Sequence, residues 1–479
     1  MENNFEDSES KNIEFIFPEE WKLGTFRDVT GTDGLFVDGD WIESKDQDPN
    51  GEVRLVQLAD IGDGIFKNKS QRFLTQQRSD ELNCTFLSEG DLLISRLGDP
   101  LGKCCIFPGD PKPSITAVDI CIVRPDNFKA DPKWLMYVIN SPEFRERINL
   151  FKRGTTRARV SRKNLGTLPI PLPPLAEQQH IVARIEALLI QINTARDRLS
   201  RVPLIMKRFR QGVLTAACSG RLTEGWREEN PDIENVSSFI EKLKKEKLLQ
   251  DKKRMKYLSD SDFSTCSELP LTWGWVKLGE IAIAVDVDHK MPKAIANGIP
   301  LISPKDFVDP DKINLKDTKK ISQDDYDRMC RKITPENGDI LLSRYGTIGK
   351  VRKVPVNEKF QISYSLCLIR PFLDLKSNDY LYWILQSLPV YYQVLANDKS
   401  SSIPDLGIKD INNFTIPIPP LAEQHEIVRR VGLLFERADA FDQEVAAARR
   451  RCERLTQAVL GKAFRGELVE KLGFCHEIK

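Results

Sequence analysis

The sequence predicts an α+β protein: two similar globular domains separated by two long antiparallel coiled-coil-like helices, with a pseudo-twofold internal repeat. Three observations predict it. Ile170–Leu189 (IPLPPLAEQQHIVARIEALL) returns at Ile416–Phe435 (IPIPPLAEQHEIVRRVGLLF), 246 residues later, with 12 of 20 positions identical. The offset holds elsewhere, since Arg124-Pro125 returns as Arg370-Pro371, Trp134-Leu135 as Tyr380-Leu381 and Arg208–Glu224 as Arg454–Glu470. Finally, each copy places short apolar runs bounded by Gly, Pro or Asp ahead of a long stretch of helical periodicity. A period this long means two domains of one kind, not a solenoid.

The segments follow in order: a first globular domain over 1–169, a helical segment over 170–225, a charged linker over 226–268, a second globular domain over 269–415, and a second helical segment with its tail over 416–479. In the domains, Val53–Leu58, Asp91–Ser95, Ala117–Val123, Asp339–Ser343 and Ser365–Ile369 read as strands. Asp131–Asn149 and Asn378–Ala396 each read as a helix, the first opened by Asp131-Pro132. The linker is basic at its centre, where Glu241–Lys256 carries eight basic and three acidic residues; it reads as a solvated helix or a mobile connection.

The helical segments are the clearest elements. Pro171, Pro173 and Pro174 hold the chain extended and then set φ for the first turn. Glu177 in that turn complements the helix dipole. Steps of three and four give Val182, Ile185, Leu189 and Ile192, then Leu199 and Met206, in the first copy, and Val428, Val431, Phe435 and Ala438, then Val445, in the second. These seams are narrow, as in helices packed on each other. Pro203 interrupts the first with a kink or break, whereas Arg449 stands at that place in the second. Gly220 and Gly466 suit the left-handed position that ends a helix.

Composition narrows the chemistry. At 479 residues, with 41% hydrophobic and 29% charged residues and a net charge of +1, the chain reads as multidomain and water-soluble. No run is apolar enough to span a membrane, and the polar N-terminus is no secretory signal. Ten cysteines without a CxxC pair fit reduced thiols in a cytoplasm, and four histidines are few for a metal enzyme. Gly98–Lys103 and Gly346–Lys350 look faintly like phosphate loops. Their glycines are spaced too closely, however, and Cys104 and Val351 follow where magnesium needs a hydroxyl. They read instead as turns after strands, with Ser-Arg and Lys exposed. No nucleophile, metal or dinucleotide motif occurs. The strongest polar signal is Arg145–Lys163, where eight basic residues face one acidic residue. It reads either as a solvated helix face with its loop or as a surface that tracks phosphates and offers arginine to guanine edges. The corresponding stretch of the second copy, Asn397–Asp405, is rich in hydroxyls and poor in charge. The scaffold is copied while its polar decoration diverges.

Two diverged domains alternate with two near-identical helical segments that begin PLPPLAEQ and PIPPLAEQ and end GRLTE and GELVE. In this the chain resembles the specificity subunits of type I restriction–modification enzymes, over nearly its whole length. Arg454–Glu470 and the stretch Trp226-Arg-Glu-Glu-Asn-Pro231 resemble the enterobacterial branch. The resemblance implies two target-recognition domains, each reading one half of a bipartite, asymmetric DNA sequence, with the helices as the ruler between them. It implies two methyltransferase subunits docked on the helices, and restriction subunits held through them. S-adenosylmethionine, ATP and magnesium would then belong to the partners, leaving this chain without cofactor or catalytic residue.

From charge and repeat position, the residues expected to face DNA are Ser95, Arg96, Lys103, Arg153, Thr155, Thr156, Arg157, Arg159 and Ser161 in the first domain. In the second they are Ser343, Arg344, Lys350, Lys399, Ser400, Ser401 and Ser402. Leu175, Val182 and Ile185 are expected to pack on the second helical copy. A stand-alone DNA-binding protein or repressor would need no methyltransferase surface, and a helical scaffold without DNA binding would need no basic loop.

Overall fold

The computed structural model describes residues 17–32, 34–154, 157–250, 268–287, 290–308, 312–355, 358–372, 379–398 and 403–468. The chain divides into two compact units, Met1–Ser200 with Ala447–Lys479, and Arg201–Ala446. Each unit therefore combines one globular domain, the beginning of the long helix that follows it, and the end of the other long helix.

In the first unit, β1 (Lys22–Gly24) pairs antiparallel with β9 (Ile170–Leu172). A four-stranded sheet is ordered β2 (Leu35–Asp38), β8 (Ile120–Arg124), β5 (Leu92–Ser95), β6 (Cys104–Ile106), and a three-stranded sheet β4 (Phe73–Leu74), β3 (Val53–Val56), β7 (Ser114–Thr116). The second unit repeats the plan. There β10 (Gly274–Lys277) pairs with β20 (Thr415–Ile418), and the four-stranded sheet is β11 (Ala282–Val285), β19 (Leu366–Pro371), β16 (Ile340–Ser343), β17 (Val351–Lys353). The three-stranded sheet is β15 (Lys320–Ile321), β12 (Ile299–Ile302), β18 (Gln361–Ile362), and β13 (Phe307–Val308) pairs with β14 (Lys312–Ile313). The central strands of both four-stranded sheets are buried, which is why they read as continuous apolar runs.

Several expected boundaries shift for local reasons. Asp131–Asn149 is two helices, Pro132–Ile139 and Pro142–Leu150, because Ser141 stops one and caps the next, its hydroxyl accepting from Phe144 N at 3.2 Å. Likewise 378–396 contains Tyr380–Leu385 and Leu388–Ala396, divided at Ser387 ahead of Pro389. The prolyl stretches expected to be merely extended are the strands β9 and β20, each in a two-stranded ribbon where a missing N–H is tolerated. The linker holds a helix at Ser237–Gln250, and its start is not solvated: Val236 is buried, and Phe239 and Ile240 pack on the second unit's core.

The long helices are α1 (Leu175–Cys218) and α2 (Leu421–Phe464), each of 44 residues. Helix α1 continues through Pro203, so the proline does not break it. Within the first unit, Val182, Ile185 and Leu189 of α1 share a core with Val459, Leu460, Ala463 and Phe464 of α2. Leu175 is half-buried and does not join that core, because it lies at the first helical position, before the seam begins. Within the second unit, Val428, Val431 and Phe435 share a core with Val213, Leu214, Ala217 and Cys218. Contacts such as Arg196–Thr456 with Arg449–Leu199, and Arg210–Asp439 with Arg430–Leu222, run in opposite chain directions, so the helices of each unit are antiparallel. Gly220 and Gly466 have φ of +74° and +71°, the left-handed conformation expected after each helix.

The copied motif is a joint between domain and helix. Trp134 Nε1 donates to the Pro171 carbonyl at 2.9 Å, and Tyr380, its repeat equivalent, donates its hydroxyl to the Pro417 carbonyl at 2.7 Å. Gln178 and Gln424 donate their amides to the carbonyls of Pro173 and Pro419. Prolines leave nearby carbonyls without their usual partners, and these side chains supply donors.

Candidate nucleic-acid interface

The basic stretch separates into residues that hold the fold and residues that face outward. Arg145 bonds Asn140 at 2.8 Å and pairs with Asp63, while Arg162 donates to the Phe36 carbonyl at 2.8 Å and pairs with Asp38 at 3.3 Å. Burial pulls the half-buried Arg147 guanidinium below its ordinary value. The remaining five, Lys152, Arg153, Arg157, Arg159 and Lys163, are exposed, and none is in an ion pair among the described residues.

Backbone bonds anchor both described sides of this loop. Arg153 and Arg159 exchange both backbone hydrogen bonds at 3.0 Å, which closes a small hairpin. Gly98 N donates to the Ala158 carbonyl at 3.1 Å and Val160 N to the Arg96 carbonyl at 3.0 Å, tying the hairpin to the loop after β5. Arg153 and Arg159 are thus carried on an anchored backbone. Ser161, expected to face DNA, has its hydroxyl engaged as a helix cap, accepting from Asn164 N at 3.1 Å. Thr155 and Thr156 lie outside the described residues.

The paired Ser-Arg motifs are anchors, which corrects the expectation that they face outward. Ser95 and Ser343 are 3% and 0% exposed, and their hydroxyls accept the backbone N–H of Lys103 at 2.9 Å and of Lys350 at 2.8 Å. Arg96 bonds the Val118 and Val160 carbonyls and pairs with Asp38 at 3.0 Å. Arg344, 6% exposed, bonds the carbonyls of Tyr364 at 3.0 Å and Leu406 at 2.9 Å and pairs with Asp286 at 3.6 Å. Val118 and Tyr364 are repeat equivalents, as are Val160 and Leu406, so the two clamps have the same design. A guanidinium turned inward onto carbonyls satisfies a loop that could not otherwise pair its backbone. Sequence reasoning missed the acids Asp38 and Asp286. They share the 248-residue offset of the Ser-Arg motifs, and that register is the signal that finds them.

The second domain keeps the frame and changes the decoration. Gly346 N donates to the Pro404 carbonyl and Leu406 N to the Arg344 carbonyl, matching the two bonds that tie the first hairpin to the loop after β5. Lys350 is exposed and Lys103 half-buried. Where the first domain has Arg145 and Glu146, the second has Tyr391 and Tyr392, with the Tyr391 ring so close that a Cβ on Gly349 would meet it at 3.0 Å. The hydroxyl run Lys399, Ser400, Ser401 and Ser402 lies outside the described residues.

Among the described residues no group of His, Cys, Asp and Glu is placed to hold a metal ion, and no helix is long and apolar enough to cross a membrane. The eight described cysteines are free thiols; burial pushes the Cys105 and Cys367 thiols up to about 12.

The family described as the type I restriction modification DNA specificity domain matches residues 18–203 and 270–440, once for each copy. The chain belongs to this family. Its role is that of a DNA specificity subunit of a type I restriction–modification system. It is 30% identical to the EcoBI specificity subunit of Escherichia coli over 74% of this chain and 70% of that one. It is 29% identical to the EcoKI specificity subunit of E. coli K12, over 70% of this chain and 65% of the relative. The matches thus span about two-thirds of those relatives. The fold is that of the HsdS subunit from Thermoanaerobacter tengcongensis, with a TM-score of 0.55 at 22% identity and coverage of 94% and 98%. It is also that of a chain from a type I R-M system described for its complex assembly and conformational transition, with a TM-score of 0.61 at 21% identity and coverage of 94% and 99%.

Proposed function

We propose that the specificity subunit reads a bipartite, asymmetric DNA target, with one half-site for each domain. The observation that carries this is that the same two loop-anchoring backbone bonds and the same inward Ser-Arg clamp recur in both copies, while the sequence of the loop they hold differs. One frame holds each domain in the same pose on DNA, and different side chains on it read different bases. In the first domain Lys103, Lys152, Arg153, Arg157, Arg159 and Lys163 contact phosphates and guanine edges. In the second, Lys350 and the hydroxyls of 400–402 do the corresponding work.

The same reading gives α1 and α2 two tasks. They fix the unspecified spacer between half-sites, and they dock two methyltransferase subunits, through which restriction subunits join. Chemistry belongs to those partners, which bring S-adenosylmethionine, ATP and magnesium; this chain supplies recognition and geometry.

Arg157→Ala with Arg159→Ala tests the DNA-facing assignment in the full chain reconstituted with its methyltransferase subunits. Target affinity falls, and the slope of log affinity against log salt becomes shallower by roughly 0.9 for each phosphate no longer neutralised. Thermal stability stays unchanged, because neither side chain is in an ion pair among the described residues. An unaltered affinity and slope would overturn the assignment.

A further inference from the structure

The proline inside α1 creates a defect that one residue of α2 repairs. Pro203 has no N–H, so the carbonyl of Leu199, four residues earlier, loses its usual helical donor. Arg449 takes that place, donating from its guanidinium to the Leu199 carbonyl at 2.9 Å. Both Leu199 and Arg449 belong to the first unit and are half-buried. Arg449 is also the repeat equivalent of Pro203, lying 246 residues later. The one position where the first long helix received a helix breaker is thus the position where the second received a cation that compensates for it. The compensation is chemically apt: a charged donor to a carbonyl left open is among the stronger hydrogen bonds available.

We propose that Arg449 is a positioning residue, a latch that keeps α1 helical across Pro203 and so makes the distance between half-sites definite. The proposal rests on the reading of the helices as the spacer. A helix with an unpaired carbonyl beside a proline opens and bends there more readily. With the latch closed the defect is silent. Without it, α1 spans a variable length, and the protein accepts DNA spacers that the wild type rejects. Nothing in the recognition loops needs to change for this to happen.

Two readouts on the full chain test the latch. Hydrogen exchange over 196–207 rises about tenfold in Arg449→Ala, the effect of losing one charged hydrogen bond. It returns to the wild-type rate in the double variant with Pro203→Ala, which restores an N–H to the Leu199 carbonyl. Binding is then measured with the methyltransferase subunits on duplexes whose spacer is native, one base pair shorter or one base pair longer. The wild type discriminates sharply, Arg449→Ala loses most of the discrimination, and the double variant regains it. Exchange that is unchanged in Arg449→Ala, or not restored in the double variant, overturns the latch. Faster exchange with spacer discrimination intact overturns the positioning role. A wild type indifferent to spacer length overturns the bipartite reading instead, and with it the positioning role, while the exchange result still decides the latch.

Discussion

Glu177 and Glu423 occupy the same place in the same Leu-Ala-Glu-Gln motif, yet their surroundings differ. Glu423 is fully buried and accepts from Thr223 at 2.6 Å, Arg227 at 2.5 Å and Trp273 Nε1 at 2.7 Å. Glu177 is half-buried, and the bond found for it is from Trp21 Nε1 at 3.1 Å. The tryptophan bond is common to both joints. The cation and hydroxyl, which arrive from the segment after α1, make full burial of the carboxylate tolerable in the second, whereas Val469 and Gly473 stand at the equivalent positions of the sequence in the other copy. An identical motif therefore does not mean an identical contribution, because a buried charge depends on how many donors converge on it.

The largest effect expected from this contrast is on stability. Glu423→Ala leaves Arg227 without its buried partner and costs roughly 3–5 kcal/mol. Glu177→Ala costs about 1 kcal/mol, the value of one ordinary hydrogen bond. Denaturant unfolding of the two variants measures both, and equal losses would break the comparison.

A smaller, pH-dependent difference separates the same helices. Arg429 and Arg430 beside Glu426 hold its carboxyl at about 2, and Arg430 also bonds the Leu222 carbonyl at 2.9 Å. The repeat-equivalent residue at the start of α1 is His180. A folded-state value below the ordinary glutamate value of about 4.3 contributes stability that is fully present above that pH. That contribution is lost as pH falls toward 2. Between pH 5 and 2, Glu426→Gln therefore flattens the acid destabilisation of the second unit, as followed by circular dichroism. An identical acid profile in wild type and variant would remove Glu426 from the comparison.

Much of the fold was legible because the chain states it twice. Strands such as β5 and β16, with both faces covered, show as apolar runs, and the helical seams show in the spacing of Val182, Ile185, Val428 and Val431. What the sequence hid is direction. Ser95 and Arg96 look like exposed polar residues ahead of a glycine-rich turn, but the Lys103 backbone N–H holds the Ser95 hydroxyl inward and the Val118 and Val160 carbonyls hold Arg96. Arg153 and Arg157 have the same composition signal and face solvent. Charge alone does not separate an anchoring arginine from a free one; an acid repeating in the same register, as Asp38 and Asp286 do, does. The breaks at Ser141 and Ser387 were readable from serine ahead of proline, yet continuous aromatic periodicity masked them.

The central claim is that one copied frame, decorated twice, reads two different sequences at a fixed separation. Methylome sequencing of a host carrying this chain with its methyltransferase partner tests that directly. The expected result is a modified motif with two unlike defined blocks and an undefined spacer of constant length. A single uninterrupted motif, or two identical blocks, would contradict it.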